Sequence, residues 1–328
     1  MRVCQHPNAK KGVCNDVIGA HTVPNYSLSR FAETGHVIQF NFFDQTAGLR
    51  GDDPKIEARL RGISDASTLP IFCGNHDKAV FAPLESGKID ATVDNALRFH
   101  YRAAVRQYVN SEYGRRGYER LQEKVESLPE PRRTEFRDRL FFETLDALRN
   151  GERHEQLKLY CDHLLKTKRT HGVRAVFVEF EELPHFMCCG VFDPMFDFAG
   201  NSLAELAHPL FEVAASIDPV ALTVVATDGA GLAVLSSVGF GLAAERFLAS
   251  FASLPDPDKA DALSRLAYNI VENVYFAPSW WNVMDSGSQS AFVQAANARY
   301  GIRLPDDVLA LAEPRLADWK VASVRCVC

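Results

Sequence analysis

Three textures of hydrophobic and polar positions follow one another along the chain. Up to about residue 95, short apolar runs are separated by Gly, Pro, Asn, Asp, His and Cys. The β-branched and aromatic content of "DVIGAHTVP" and "GHVIQFNFF" predicts two strands, and "SLSRFAETG" predicts a short helix turned off at Gly35. The charged stretch "GLRGDDPKIEARLRG", residues 48–62, reads as an exposed loop or insertion. From about Ile89 to Thr170 apolar residues recur at helical spacing, as in "ALRFHYRAAVRQYV" and "FRDRLFFETLDALRN". Pro129 and Pro131 interrupt that run, which predicts two antiparallel helices joined by a tight turn. After Arg174, "VRAVFVEFEEL" alternates as a strand does, and "VALTVVATDGAGLAVLSSV" reads as two strands around an Asp-Gly turn. Helices are expected at about 241–254, 258–275, 288–299 and 305–313. The expected fold class is α+β, in three parts: a loop-rich unit over 1–95, a helical hairpin over 96–170, and an antiparallel sheet with helices over 171–328.

Charge sharpens this division. The 328 residues carry a net charge of -6, yet the span Arg98–Arg174 holds 18 Lys and Arg against 12 Asp and Glu. A basic middle between acidic ends makes the 96–170 helices the candidate surface for nucleic acid, and leaves a protein partner or a second copy of the chain open. The longest apolar stretch, "PVALTVVATDGAGLAVLSSVGFGLAA", is interrupted by Asp228 and several glycines, so no membrane span is expected. With no apolar segment in "MRVCQHPNAKKG", the expected location is cytoplasmic.

In that setting the eight cysteines point to thiols or metal ligands rather than a disulfide framework. Cys73 and His76, spaced Cys-x-x-His ahead of "HDKAVFAPLE", form the half of a zinc site that a helix's first turn supplies. The N-terminal "CQHPNAKKGVC" offers Cys4, His6 and Cys14 as the distant half, and Cys4, Cys14, Cys73 and His76 are the expected ligand set. Such an ion would give a loop-rich unit the folding energy its small core lacks. The plain alternative is that Cys4 and Cys14 are free thiols near a frayed end and His76 a polar residue at a helix start. Cys188, Cys189, Cys326 and Cys328 read as incidental thiols.

The order "C…C…AHTVP…LPIFCGNHD" resembles the HNH, or His-Me finger, nucleases with a zinc-stapled, treble-clef core. His21, Thr22, Val23 and Pro24 match the family's first motif, a His on a strand ending in a hydrophobic-Pro step, and Leu69, Phe72, Cys73 and His76 match its second in outline. The resemblance covers roughly the first 90 residues. It implies that His21 is the general base that takes a proton from the attacking water, and that Asp77, at the family's final metal-binding His, binds a catalytic Mg2+ ion with help from Asp44, Asp65 or His36. Ala20, Thr68 and Asp77 stand where the family carries other residues. The arrangement also resembles bacterial HNH proteins that act on foreign nucleic acid, in which a further domain supplies partner contact or sensing. The class-level alternative is a non-catalytic zinc module binding nucleic acid or protein, with His21 as a nearby polar group or a ligand replacing Cys14.

Three other stretches carry motif-like patterns. "GNHD", Gly74–Asp77, is shared with calcineurin-like phosphoesterases, but the remaining ligands of a two-metal site are missing in order. "RNGERH" has the Arg-x4-His spacing of HEPN-type ribonucleases through Arg149 and His154, although Asn150-Gly151 equally reads as a helix stop. The aromatic "ENVYFAPSWWN" reads as core, with a pocket floored by Trp280 and Trp281 as the alternative.

Overall fold

The computed structural model describes residues 3–10, 12–41, 57–203, 219–298, 309, 311 and 315–328. Among these, the strands are β1 (Val17–His21), β2 (His36–Asn41), β3 (Glu57–Gly62), β4 (Thr68–Cys73), β5 (Val173–Phe180), β6 (Phe186–Phe192), β7 (Val220–Ala226), β8 (Gly231–Val238), β9 (Val274–Phe276) and β10 (Val321–Val327). The helices are α1 (Asn25–Phe31), α2 (Gly74–Phe81), α3 (Val93–Glu126), α4 (Arg132–Thr167), α5 (Leu242–Ser253), α6 (Asp256–Asn269), α7 (Pro278–Val283) and α8 (Ser286–Ala298). The fold is mixed α+β with antiparallel sheets, as expected.

Eight strands form one sheet in the order β10-β5-β8-β7-β6-β9-β2-β3, and β1 pairs separately with β4. Every residue of β7 and β8 is buried, which is what a strand does when both faces of its sheet are covered. One face meets α3 and the N-terminal elements, in a core that includes Phe72, Phe81, Phe99, Tyr101, Phe177 and Val234. The other meets α5 and α6 in a second core with Phe180, Phe186, Phe247, Phe251 and Leu263. The result is three layers, and α3 runs through the middle of the first.

That layering departs from the expected three-part division. Strands β2 and β3, from the first part, extend the sheet of the last part: Ile38 pairs with Phe276 across β2 and β9. Such pairing joins residues more than two hundred positions apart, and no local pattern announces it. The first part also docks on the β7–β8 turn, where Asp228 N–H donates to Gly87 O at 2.9 Å. A Cβ on Gly87 would lie 1.9 Å from Asp228 Oδ1, so a larger residue there would displace the Asp228 side chain.

Residues 57–62 of the supposed loop form β3, a strand with exposed Arg59, Leu60 and Arg61, so its polar pattern is that of a sheet edge; residues 48–56 lie outside those described. The helix expected over 258–275 stops at Asn269, and Val274–Phe276 is β9, because a three-residue strand is too short to show its period. Helix α4 runs straight through Asn150-Gly151, held by its packing on α3 rather than by propensity. Of the helix expected over 305–313, only residues 309 and 311 are described. The hairpin itself is as expected: α3 is capped by Thr92, whose hydroxyl accepts from Asn95 N–H at 3.2 Å, and α4 begins after Pro131. Among the described residues no helix is long and apolar enough to cross a membrane.

Candidate metal centre

Strand β4 delivers Cys73 to the start of α2, and the first helical turn brings His76 back beside it. Phe72, Phe81 and Tyr101 pack with ring centroids 5.4 to 6.1 Å apart behind this corner and fix its direction. The N-terminal segment lies across it, tied by Gln5 N–H donating to Ile71 O at 2.9 Å. Cys4, Cys14, Cys73 and His76 thereby meet, with all four ligand atoms within 4.8 Å of one another, and the cluster could hold a metal ion such as zinc. Of the described residues, this is the group of three or more Cys, His, Asp or Glu with that geometry.

The distances are specific. His76 Nδ1 lies 3.5 Å from Cys4 Sγ, 3.6 Å from Cys14 Sγ and 3.3 Å from Cys73 Sγ. An ion about 2.3 Å from each sulfur and about 2.0 Å from a nitrogen, at tetrahedral angles, separates sulfur from nitrogen by about 3.5 Å. Backbone N–H groups support the sulfurs: Cys73 N–H donates to Cys4 Sγ and Lys10 N–H to Cys14 Sγ, each at 3.4 Å. Burial raises the Cys4 thiol, while at Cys73 burial is outweighed by backbone N–H groups of His76 and Asn75 and by the neighbouring thiols, so its pKa is lowered. His6, the unused member of the N-terminal set, stacks on His76 with centroids 3.9 Å apart and rings 9° from parallel.

On the other side of the same helical turn lies a second, open cluster. His21 ends β1 opposite Thr68 of β4, so β1, β4 and α2 form a strand-strand-helix unit interrupted by α1, β2 and β3. His21 Nε2 is 3.0 Å from Ile63 O. A carbonyl only accepts, so Nε2 is the donor of this contact, and in the neutral ring Nδ1 is the acceptor. Asp77 is half-buried, and burial raises its pKa against the opposing pull of Arg102 and His21. Its Oδ1 is buried and has no hydrogen-bond partner among the described residues. Arg102 of α3, only 2% exposed, donates through Nη2 to Glu85 Oε1 at 2.8 Å and lies 4.3 Å over the Phe81 ring, while its Nε and Nη1 are buried without partners.

The expected Mg2+ helpers are not gathered at Asp77. His36 directs Nδ1 to Thr34 O at 2.8 Å, Asp65 is exposed beside a separate cleft, and Asp44 lies outside the described residues. Mg2+ is commonly bound by one or two carboxylates together with substrate phosphates. The lone orphaned oxygen of Asp77 therefore fits such an ion only in company with a substrate.

Arg149 is exposed, whereas His154 turns inward with Nδ1 2.6 Å from Ser111 Oγ and a pKa lowered by burial to about 4. Five residues apart on a helix, the two point about 140° away from each other. The basic hairpin is partly neutralised at its surface, since Arg115 pairs with Glu112 and Glu119, Arg133 with Glu130 and Arg137 with Glu126. Trp281 is core, and Trp280 stacks at 4.1 Å on His185, whose pKa burial lowers to about 3. Arg102 and Arg106 were not singled out from the sequence, although two arginines four apart inside the apolar run "ALRFHYRAAVRQYV" signal charges on a buried helix face. Compared with known proteins, the chain matches no family model, no curated protein and no solved structure.

Proposed function

We propose that this protein is a zinc-stapled hydrolase of phosphodiester bonds in nucleic acid, built like an HNH nuclease, with His21 as general base. The observation that carries the reading is the His21 imidazole held by Ile63 O through Nε2, which leaves Nδ1 as a proton acceptor on the strand next to α2. Zinc on Cys4, Cys14, Cys73 and His76 is structural, because four protein ligands close a tetrahedral site and leave no position for substrate. It fixes α2 against β4, and so fixes Asp77 relative to His21.

In the chemical step His21 Nδ1 removes a proton from water as the oxygen attacks phosphorus. Asp77 has a buried Oδ1 without a hydrogen-bond partner among the described residues, and the charge of Arg102, anchored by Glu85, favours its ionised form against burial. A Mg2+ ion held by Asp77 and the substrate phosphate would stabilise charge on the leaving oxygen. The test offers plasmid DNA, single-stranded DNA and RNA to the purified protein with Mg2+. Cleavage is expected, and His21→Ala is expected to lower its rate about 100-fold or more with melting temperature and zinc content unchanged. Undiminished cleavage by the variant, or none by the wild type on any of these substrates, overturns the reading.

A further inference from the structure

A cleft of about 340 Å3 opens beside this unit, between the β3–β4 segment and α3. Arg59 and Arg61 of β3 lie two apart, hence on one face of the strand, and both line it; Arg106 lines it from α3. Asp65 is the carboxylate among its lining residues, so three guanidiniums stand against one acid. Arg59 pairs with Glu57 at 3.0 Å, but no ion pair to Arg61 or Arg106 is found among the described residues. Arg106 is the telling residue. It is 8% exposed, and its hydrogen bond runs from Nη1 to the neutral Gln107 Oε1 at 3.3 Å. A buried charge without a counter-charge is costly, and it persists where an anion completes it.

The floor of the cleft is rigid and polar. Asn273 Nδ2 donates to Thr22 Oγ1 at 2.9 Å, Tyr275 OH donates to Asn273 Oδ1 at 2.7 Å, and Thr22 Oγ1 is 2.7 Å from Ser67 Oγ. Such a network holds its groups in place before any ligand arrives. The volume sits near the lower end of the roughly 300–1,000 Å3 of small-ligand sites, and planar guanidiniums match phosphate oxygens in pairs.

We infer that this cleft binds a phosphorylated ligand of mononucleotide size, its phosphate held by Arg61 and Arg106 with Arg59 at the rim. The phosphate belongs either to a free nucleotide or to one nucleotide of a strand. His21 does not line the cleft, so the inference stands apart from the catalytic reading.

Isothermal titration of the full chain in Mg2+-free buffer, with pyrophosphate, adenosine monophosphate and a 5′-phosphorylated oligonucleotide as separate probes, tests it. Binding is expected that weakens with salt and weakens about tenfold or more in Arg61→Ala and in Arg106→Gln. Adenosine monophosphate binding as tightly as the oligonucleotide assigns the cleft to free nucleotides. Oligonucleotide binding at least about tenfold tighter, competed by pyrophosphate, assigns it to a strand. The exposed Arg61 keeps the test decisive if Arg106→Gln does not fold, and His21→Ala retains binding whatever happens to cleavage. No titration by any probe, or an unchanged dissociation constant in Arg61→Ala, overturns the inference.

Discussion

His76 and Asp77 are neighbours on one turn of α2 and belong to opposite kinds of site. His76 points into a closed set, where three sulfurs surround its Nδ1 at 3.3 to 3.6 Å and backbone N–H groups support two of the sulfurs. Asp77 points into an open one, where its Oδ1 and two nitrogens of Arg102 are buried without partners. A closed donor set stabilises a fold, because every group has found its complement. An open one retains groups whose complement must come from outside. The helix turn that carries both ties the two together, so on the proposed reading an ion in the closed site would set the geometry of the open one.

Opening the closed site is expected to have the largest effect. Cys73→Ser is expected to release the metal and cost several kcal/mol, read as loss of the cooperative unfolding transition by circular dichroism, whereas a surface control such as Cys326→Ser leaves it intact. At the open site, His21→Ala is expected to lower the proposed cleavage about 100-fold or more and to leave stability alone. Glu85→Gln then strands the buried Arg102 charge. With Glu85 itself 32% exposed, the expected cost is about 2 kcal/mol, below the 3–5 of a fully buried pair, measured by urea unfolding.

A finer distinction uses pH. Burial holds His185 near 3 and His100 near 4, below their ordinary value of 6.5, so the folded protein refuses protons that the unfolded chain accepts. Stability from these groups is present above about 6.5 and is lost as pH falls towards their folded values, at up to about 1.4 kcal/mol per pH unit for each. His185→Gln is expected to flatten the difference in unfolding free energy between pH 7 and pH 5; an unchanged slope would mean that His185 titrates normally. The smallest effect is expected at the hairpin surface. Arg137→Ala breaks an ion pair whose partners are each 56% exposed, and should shift stability by less than about 1 kcal/mol.

Much of the closed site was legible in the sequence, and for physical reasons. Cys73-x-x-His76 is a local signal, since spacing on one helical turn decides whether two side chains converge. Cys4 and Cys14 followed from ligand chemistry alone, because the N-terminal segment offered few other donors. The open site was legible only in its own segment. Its Arg102 comes from α3, inside the stretch whose net charge reads as a basic surface, although α3 is covered both by the sheet and by the N-terminal elements over Asn95–Arg106. Charge counting does not know which face of a helix is covered. The same holds for the sheet: β7 and β8 declared themselves through a local turn, while β2, β3 and β9 join it through pairings that only the folded chain reveals.

The N-terminal cluster is proposed to hold a zinc staple. Elemental analysis of the purified protein beside Cys14→Ser and Cys73→Ser, with X-ray absorption at the zinc edge, tests it most directly. About one zinc per chain is expected, in a shell of three sulfurs and one nitrogen near 2.3 and 2.0 Å, lost in both variants. A protein that folds without metal, or whose metal content is unchanged by both substitutions, would contradict it.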